Sequence, residues 1–230
     1  MKRGFRLFYL LLCAIIVISL VGVWFFSGIH RQTASVHSRV FTVVADAGHG
    51  GIDGGAEGNQ TSVKESDLNL EIARLLKAKL EGAGITVVMT RNSYGGLYGT
   101  TTKGFKKRDL EKRVKIINSA KADVMVSIHL NHFSSPGRRG ATVFFAEGSS
   151  RGEDLAKCIQ KHFNTLSSQT REFSANKGDY YLLNEAICPS AICECGFLSN
   201  QEDERLLLTK EYKDEVAQKI FYGIIEFLME

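Results

Sequence analysis

Phe41-Thr42-Val43-Val44-Ala45-Asp46-Ala47-Gly48-His49-Gly50-Gly51-Ile52-Asp53-Gly54-Gly55 decides how the rest of the chain is read. Phe41–Ala45 is an apolar, β-branched run and predicts a buried strand. The run ends in a cluster of glycines around one histidine. Glycine lets the backbone turn sharply and lets a ligand come close. Neutral histidine is the commonest metal ligand. The segment is therefore suited to presenting an imidazole at the mouth of a sheet. A histidine in a glycine-rich turn is also often a plain surface residue. Phosphate binding is disfavoured, because no G-x-G-x-x-G or G-K-[ST] pattern is present.

The 230 residues suffice for one domain plus a tail. Leu7–Phe26 carries no charge, is long enough to cross a bilayer, and follows Lys2, Arg3 and Arg6. The positive-inside rule puts the N-terminus in the cytoplasm and the rest outside. A cleaved signal peptide is the alternative, but no A-x-A-type site follows Phe26. The expected organisation is a membrane anchor or signal segment over 1–29, a polar linker over 30–39 and a catalytic domain over 40–230. Residues 1–39 hold Lys2, Arg3, Arg6, Arg31 and Arg39 and no acid, a formal +5. The whole chain is +4, so residues 40–230 sum to −1. The exported domain thus lacks the basic bias of a nucleic-acid binder.

Cys13 lies in the apolar segment. Cys158, Cys188, Cys193 and Cys195 could pair in an exported protein. No second ligand pair stands at zinc-ribbon spacing from Cys193 and Cys195, which read mainly as small buried apolar residues.

From Phe41 on, strand and helix patterns alternate. Ser62-Val63-Lys64-Glu65 matches a capping box. Leu68, Ile72, Leu75, Leu76 and Leu80 follow at helical spacing, stopped by Gly82 and Gly84. Ile85–Thr90 reads as a strand, Ser93–Phe105 as a mobile loop and Lys107–Ser119 as a helix. Val124–Ile128 and Ala141–Ala146 read as strands and Glu153–Leu166 as a helix. Tyr180–Leu183 and Ala191–Cys195 read as short strands, and Glu211–Met229 as an amphipathic helix. The expected fold is α/β: one domain with a central, mostly parallel sheet of about six strands and helices on both faces, preceded by an N-terminal apolar helix. Ligands in such sheets bind beyond the carboxyl ends of the strands.

Four residues share that location. His49 follows the first strand, His129 follows Val124–Ile128, Glu194 ends Ala191–Cys195, and Glu65 opens the first helix after the glycine loop. Two histidines and a carboxylate make an open zinc site with water in the fourth position. Such a water has its pKa lowered to about 7. Glu194 could serve as general base on that water and as acid on a leaving group. Each residue also has a plainer reading. Glu65 closes a capping box, His129 is a satisfied core histidine, and Glu194 faces solvent on an edge strand. Asn131 and His132 are candidate substrate or supporting contacts.

At these residues the chain resembles the zinc-dependent N-acetylmuramoyl-L-alanine amidases of the type 3 family, from about Phe41 to the C-terminus. Asp46–Gly55 is similar to the family's first metal motif, with His49 as ligand. Glu65 matches the second ligand, and Ser127-Ile128-His129-Leu130-Asn131 the third, through His129. Glu194-Cys195-Gly196-Phe197-Leu198-Ser199-Asn200 is similar to the catalytic segment, with Glu194 as catalytic carboxylate. Arg91 and Arg113 sit where the family has arginines. The cysteines flanking Glu194 depart from many relatives, which carry apolar residues or threonine there.

The resemblance implies peptidoglycan as substrate, zinc as cofactor, and hydrolysis of the amide between the lactyl group of muramic acid and L-alanine. It is strongest to the CwlD-like germination and spore-cortex subgroup, through Asp46-Ala47-Gly48-His49, Lys106-Lys107-Arg108-Asp109-Leu110, His132 and the N-terminal apolar segment. That subgroup implies stripping of stem peptides for muramic-δ-lactam formation, with a muramic acid deacetylase and an accessory lipoprotein as partners. It also implies an exported, membrane-anchored location facing the intermembrane or cortex space. The competing readings are a zinc peptidase cutting within the stem peptide, a non-catalytic wall-binding scaffold, and an exported redox protein using Cys193 and Cys195.

Overall fold

A computed structural model describes residues 12, 14–21 and 40–230. The chain divides into two units at Arg39/Val40. In the first, residues 12 and 14–21 are helical and exposed. The expected span Leu7–Phe26 falls largely outside the described residues, as do Cys13 and the linker 30–39. No helix among the described residues is long and apolar enough to cross a membrane.

The second unit begins with β1 (Thr42–Ala47), α1 (Glu65–Gly82), β2 (Thr86–Met89), α2 (Phe105–Ser119) and β3 (Val124–Asn131). It continues with β4 (Thr142–Phe145), α3 (Ser150–Phe163), β5 (Asn176–Lys177), α4 (Tyr181–Glu185), β6 (Ser190–Phe197), α5 (Gln201–Leu207) and α6 (Lys210–Met229). The strands form one sheet in the order β2-β1-β3-β6-β4-β5. β2, β1, β3 and β6 are parallel, and β4 runs antiparallel to β6. The six-stranded, mostly parallel α/β sheet expected from the sequence is therefore present.

Strand periodicity sorts the side chains onto two faces. Val43, Ala45, Val124, Val126, Ile128, Ala191 and Cys193 pack with α1, α3 and α6 in the larger core. Val44, Met125 and Ile192 pack with Ile117 of α2 and Leu182 and Leu183 of α4 in the smaller one. Each fully buried Leu or Ile contributes roughly 1.5–3 kcal/mol relative to exposure. β1 leads through α1 to β2 on one side, while β3 lies on the other side of β1. The chain thus reverses direction across the sheet at the carboxyl ends of β1 and β3, where such sheets bind ligands.

Three local expectations differ from the structure. Tyr180–Leu183 is not a strand; Tyr181–Glu185 is a short helix, with Asn184 N–H donating to Tyr180 O at 3.0 Å. Its apolar run is too short for periodicity to distinguish the two, and Leu182 and Leu183 dock on the smaller core instead. The capping box does not form. Lys64 is the N-cap of α1 without a side-chain cap bond, and Ser62 has φ 58° with its N–H donated to Gly58 O. The segment 93–104 is irregular, as expected, but is tethered. Arg108 donates to the carbonyls of Tyr98, Thr100, Thr102 and Lys103, and the Tyr98 hydroxyl accepts from Ile52 N–H at 2.9 Å.

Cys158, Cys188, Cys193 and Cys195 are free. Cys193 and Cys195 are fully buried in the larger core, on the face away from Glu194. Burial pushes both thiols above their usual range.

Candidate functional site

β1 delivers the glycine loop to the switch point. Gly48 N–H donates to Ile128 O at 3.0 Å and ties the loop to β3. The next residue, His49, is left-handed at φ 61°. That conformation costs a non-glycine residue on the order of 1–3 kcal/mol and persists only where the surroundings enforce it. Here Arg113 Nη2 donates to the His49 carbonyl at 2.5 Å, and Asp53 Oδ2 lies 3.0 Å from His49 Nδ1. Asp53 is itself held by reciprocal backbone bonds with Gly50 and by Lys106 Nζ at 3.0 Å. A carboxylate on Nδ1 orients the ring and leaves Nε2 directed into the site.

Glu65 is nearly fully buried at the first turn of α1. Its Oε1 lies 3.3 Å from His49 Nε2 and 2.9 Å from His129 Nδ1. The carboxylate also accepts from Ala56 N–H, Leu130 N–H and Asn69 Nδ2. The ligand atoms of His49, Glu65 and His129 all lie within 4.8 Å of one another. Two imidazole nitrogens and one carboxylate oxygen are a donor set that suits zinc and similar divalent ions. Burial alone would raise the Glu65 pKa, but the hydrogen bonds from His129 and His49 outweigh it and hold the carboxyl well below its usual range. Burial opposes protonation of His49, yet its bonds to Asp53 and Glu65 raise it to about 9. A metal would replace that proton.

The glycines are required by the close approach. A Cβ at Gly48 would overlap the His129 ring, and one at Gly55, already left-handed at φ 71°, would overlap Glu65 Oε2 and His49 Cδ2. Gly48→Ala should therefore displace the His129 imidazole and weaken the affinity of the cluster for a divalent ion at least tenfold. Competition with a chromophoric chelator measures this; affinity equal to wild type would remove the packing argument.

His129 and Glu194 are direct partners in the parallel register of β3 and β6. Glu194 is 8% exposed, and its Oε2 is buried without a hydrogen-bond partner. Burial is the main cause that raises its pKa to about 7, with the Glu65 charge adding to it and the two histidines opposing it. An unsatisfied buried carboxylate oxygen needs an explanation, and its position across from His129 supplies one.

The other expected residues divide. Arg91 and Arg113 lie buried beneath the glycine loop. Arg91 donates to the carbonyls of Ala47, Gly48, Ser66 and Ser93. Burial and the neighbouring Arg113 lower its pKa to about 10. Arg113 donates to Ala47 O and to Asp46 and Asp109. Asn131 closes β3, its carbonyl accepting from Leu198 N–H. His132 is exposed, with Nε2 3.4 Å from Asn59 Oδ1.

Sequence reasoning gave no role to Asp53 or Asn69. Both stand four residues after a candidate ligand, and Asn69 shares the Glu65 face of α1. That spacing could have marked Asn69. For Asp53, in an irregular loop, no periodic signal exists.

Comparisons with known proteins agree with this architecture. The N-acetylmuramoyl-L-alanine amidase family model (Amidase_3) matches residues 43–226. The germination-specific N-acetylmuramoyl-L-alanine amidase of Bacillus subtilis is 38% identical over 192 residues, covering 82% of this chain and 80% of that protein. The amidase LytC of the same organism is 29% identical over 188 residues, 81% of this chain but 35% of its own length. Among solved structures, the CwlD amidase from Clostridioides difficile in complex with the GerS lipoprotein superposes with a TM-score of 0.79 at 36% identity, over 82% of this chain and 98% of that one. An N-acetylmuramoyl-L-alanine amidase from Clostridium difficile 630 gives 0.75 at 29% identity, over 84% and 99%. A glycine-cradled His-Glu-His cluster at the switch point of this sheet, together with a family match that spans the sheet, makes this chain a member of the N-acetylmuramoyl-L-alanine amidase family.

Proposed function

We propose that the domain hydrolyses, with zinc, the amide between the lactyl group of N-acetylmuramic acid and L-alanine in peptidoglycan. The observation that carries this reading is the pairing of the His49–Glu65–His129 cluster with the unpartnered Glu194 carboxylate across β3 and β6. His49 Nε2, the Glu65 carboxylate and His129 Nδ1 would hold the ion. Zinc would supply Lewis acidity toward the scissile carbonyl and a water of lowered pKa. Asp53 keeps the His49 ring turned toward the ion, and Asn69 and the Leu130 N–H hold the Glu65 carboxylate in place. Glu194 takes a proton from the attacking water and hands it to the departing amide nitrogen. A pKa near 7 suits a group that must both accept and donate at neutral pH.

The resemblance to a germination-specific relative supports a role in stripping stem peptides ahead of muramic-δ-lactam closure in the spore cortex. The lipoprotein bound to the CwlD amidase supports an accessory lipoprotein as partner, and lactam closure calls for a muramic acid deacetylase acting after the amidase. Residues 1–29 serve in this reading as the anchor or signal segment that places the domain outside the membrane.

The test is mass spectrometry of peptidoglycan incubated with residues 40–230, with zinc and with a chelator. Release of intact stem peptides beginning with L-alanine is expected with zinc and should fall at least 100-fold with the chelator. Fragments cut within the peptide would instead establish a peptidase. If neither product forms, even with the lipoprotein partner added, the enzymatic reading is lost.

A further inference from the structure

Two pairs of ligand-type side chains meet where α3 packs along α6, on helices that contribute nothing to the His49–Glu65–His129 cluster. Cys158 and His162 are four residues apart on α3, so they share one helix face. Glu226 lies in the last turn of α6, and Glu230 caps that helix four residues on. The helices approach closely at Gly223, one turn before Glu226, where a Cβ would stand 2.5 Å from Ile159 Cα. Ile159 follows Cys158, so this contact brings the two pairs together. Cys158 Sγ donates to Glu230 Oε1 at 3.8 Å, and His162 Nε2 lies 2.8 Å from Glu226 Oε2. One ligand atom from each of Cys158, Glu226 and Glu230 lies within 4.8 Å of the other two.

Charge pairing does not account for this arrangement. Cys158 is 8% exposed, and a thiol is only a weak donor. Glu230 has no cationic partner among the described residues. Glu226 has Lys161 Nζ 2.7 Å from its Oε1, on a side chain that is 69% exposed. Two carboxylates therefore converge on one nearly buried sulfur, with one solvated ammonium to offset them. A divalent cation neutralises both acids and gives the sulfur a strong partner. Each carboxylate oxygen has two lone-pair sites, so Glu226 can bind an ion and keep its contacts to Lys161 and His162.

We infer that Cys158, Glu226 and Glu230 form a second metal site, for zinc or an ion of similar softness, which clamps the end of α6 onto α3. The sulfur sets the selectivity, because thiolates favour zinc over magnesium or calcium. The thiol proton passes to solvent as the sulfur–metal bond forms. His162, bonded to Glu226, orients that carboxylate toward the ion. The site stands whether or not the amidase reading does, since it shares no residue with the other cluster.

The experiment titrates the reduced full chain, purified in detergent, with cobalt(II) and follows the near-ultraviolet absorbance. A thiolate-to-cobalt charge-transfer band should grow to one ion per chain. The His49–Glu65–His129 cluster offers only nitrogen and oxygen and cannot produce that band. Cys158→Ser should abolish it, and Cys188→Ser should leave it intact. Glu230→Gln keeps the thiol and should weaken cobalt binding about tenfold or more. Zinc should erase the band, and magnesium in roughly 100-fold excess should not. Bound zinc should also slow amide hydrogen exchange in the last turn of α6 about tenfold in wild type, and not in Cys158→Ser. The site is overturned if wild type gives no band, if Cys158→Ser keeps it, if Glu230→Gln binds as tightly as wild type, or if magnesium displaces the cobalt. Exchange in α6 that zinc leaves unchanged overturns the clamp.

Discussion

Glu194→Gln should lower amide hydrolysis by about 10³-fold and at the same time stabilise the fold. General acid–base groups contribute roughly 10²–10⁴ in rate. The glutamine keeps the shape of the side chain but can neither accept a proton nor release one. The stability effect comes from burial. The pKa of Glu194 is raised to about 7 from the usual glutamate value of 4.5, chiefly by desolvation, and its Oε2 has no partner. A carboxyl raised in the folded state favours folding in its protonated form. Its penalty is absent below pH 4.5, grows between 4.5 and about 7, and is constant above. In the chelated domain at pH 8, Glu194→Gln should therefore recover up to about 3 kcal/mol, and at pH 4 nearly nothing. Urea unfolding at both pH values measures this. Zinc occupancy should match wild type, because Glu194 is not one of the clustered ligands. Loss of activity with gain of stability marks a group retained for chemistry. A variant that keeps more than a tenth of wild-type activity would exclude Glu194 as the proton carrier.

The alternation of strand and helix patterns after Phe41 was enough to read five of the six strands, because each of those is an apolar run bounded by turn residues, whereas β5 is the polar pair Asn176–Lys177 and carries no such signal. The family was legible too. Asp46–Gly55, Ser127–Asn131 and Glu194–Asn200 carry the resemblance, and the family match spans all three. What the sequence could not supply is the register. His129 and Glu194 are 65 residues apart, and only the parallel pairing of β3 with β6 sets them side by side. The same limit explains Glu65. Locally it fits a capping box, but Ala56, Leu130 and Asn69 claim its oxygens in the fold. Tertiary contacts overrode the capping-box reading that the local pattern favoured. Tyr180–Leu183 failed for a related reason, since four apolar residues fit a helix turn as well as a strand.

Arg113→Met should be the most destabilising single change in the domain, by about 3–5 kcal/mol at pH 7, the range for removing one partner of a buried ion pair. Arg113 is 1% exposed and joins two acids to the glycine loop. It contacts Asp46 and Asp109 and donates to the carbonyls of Ala47 and His49. Methionine fills much of the volume but leaves the Asp46 charge with only the hydroxyls of Ser127 and Thr90. The pH dependence separates charge from packing. Burial alone would raise the Asp46 pKa, and the Arg113 charge with the two hydroxyl bonds brings it down to about 2. In wild type this contributes stability above the unfolded value of 3.8 that is lost as pH falls through about 2. In Arg113→Met burial dominates, so the deficit should shrink as pH drops toward 4. Adding Asp46→Asn to Arg113→Met should then recover 1–2 kcal/mol at pH 7, roughly what relieving an unpaired buried charge gives. A deficit that stays the same from pH 4 to 8, with no recovery in the double variant, would show that Arg113 acts through its carbonyl bonds to the His49 loop and not through Asp46. Either way the His49 backbone loses a donor that holds it left-handed. Zinc affinity should therefore fall with stability, which ties the packing beneath the loop to the chemistry above it.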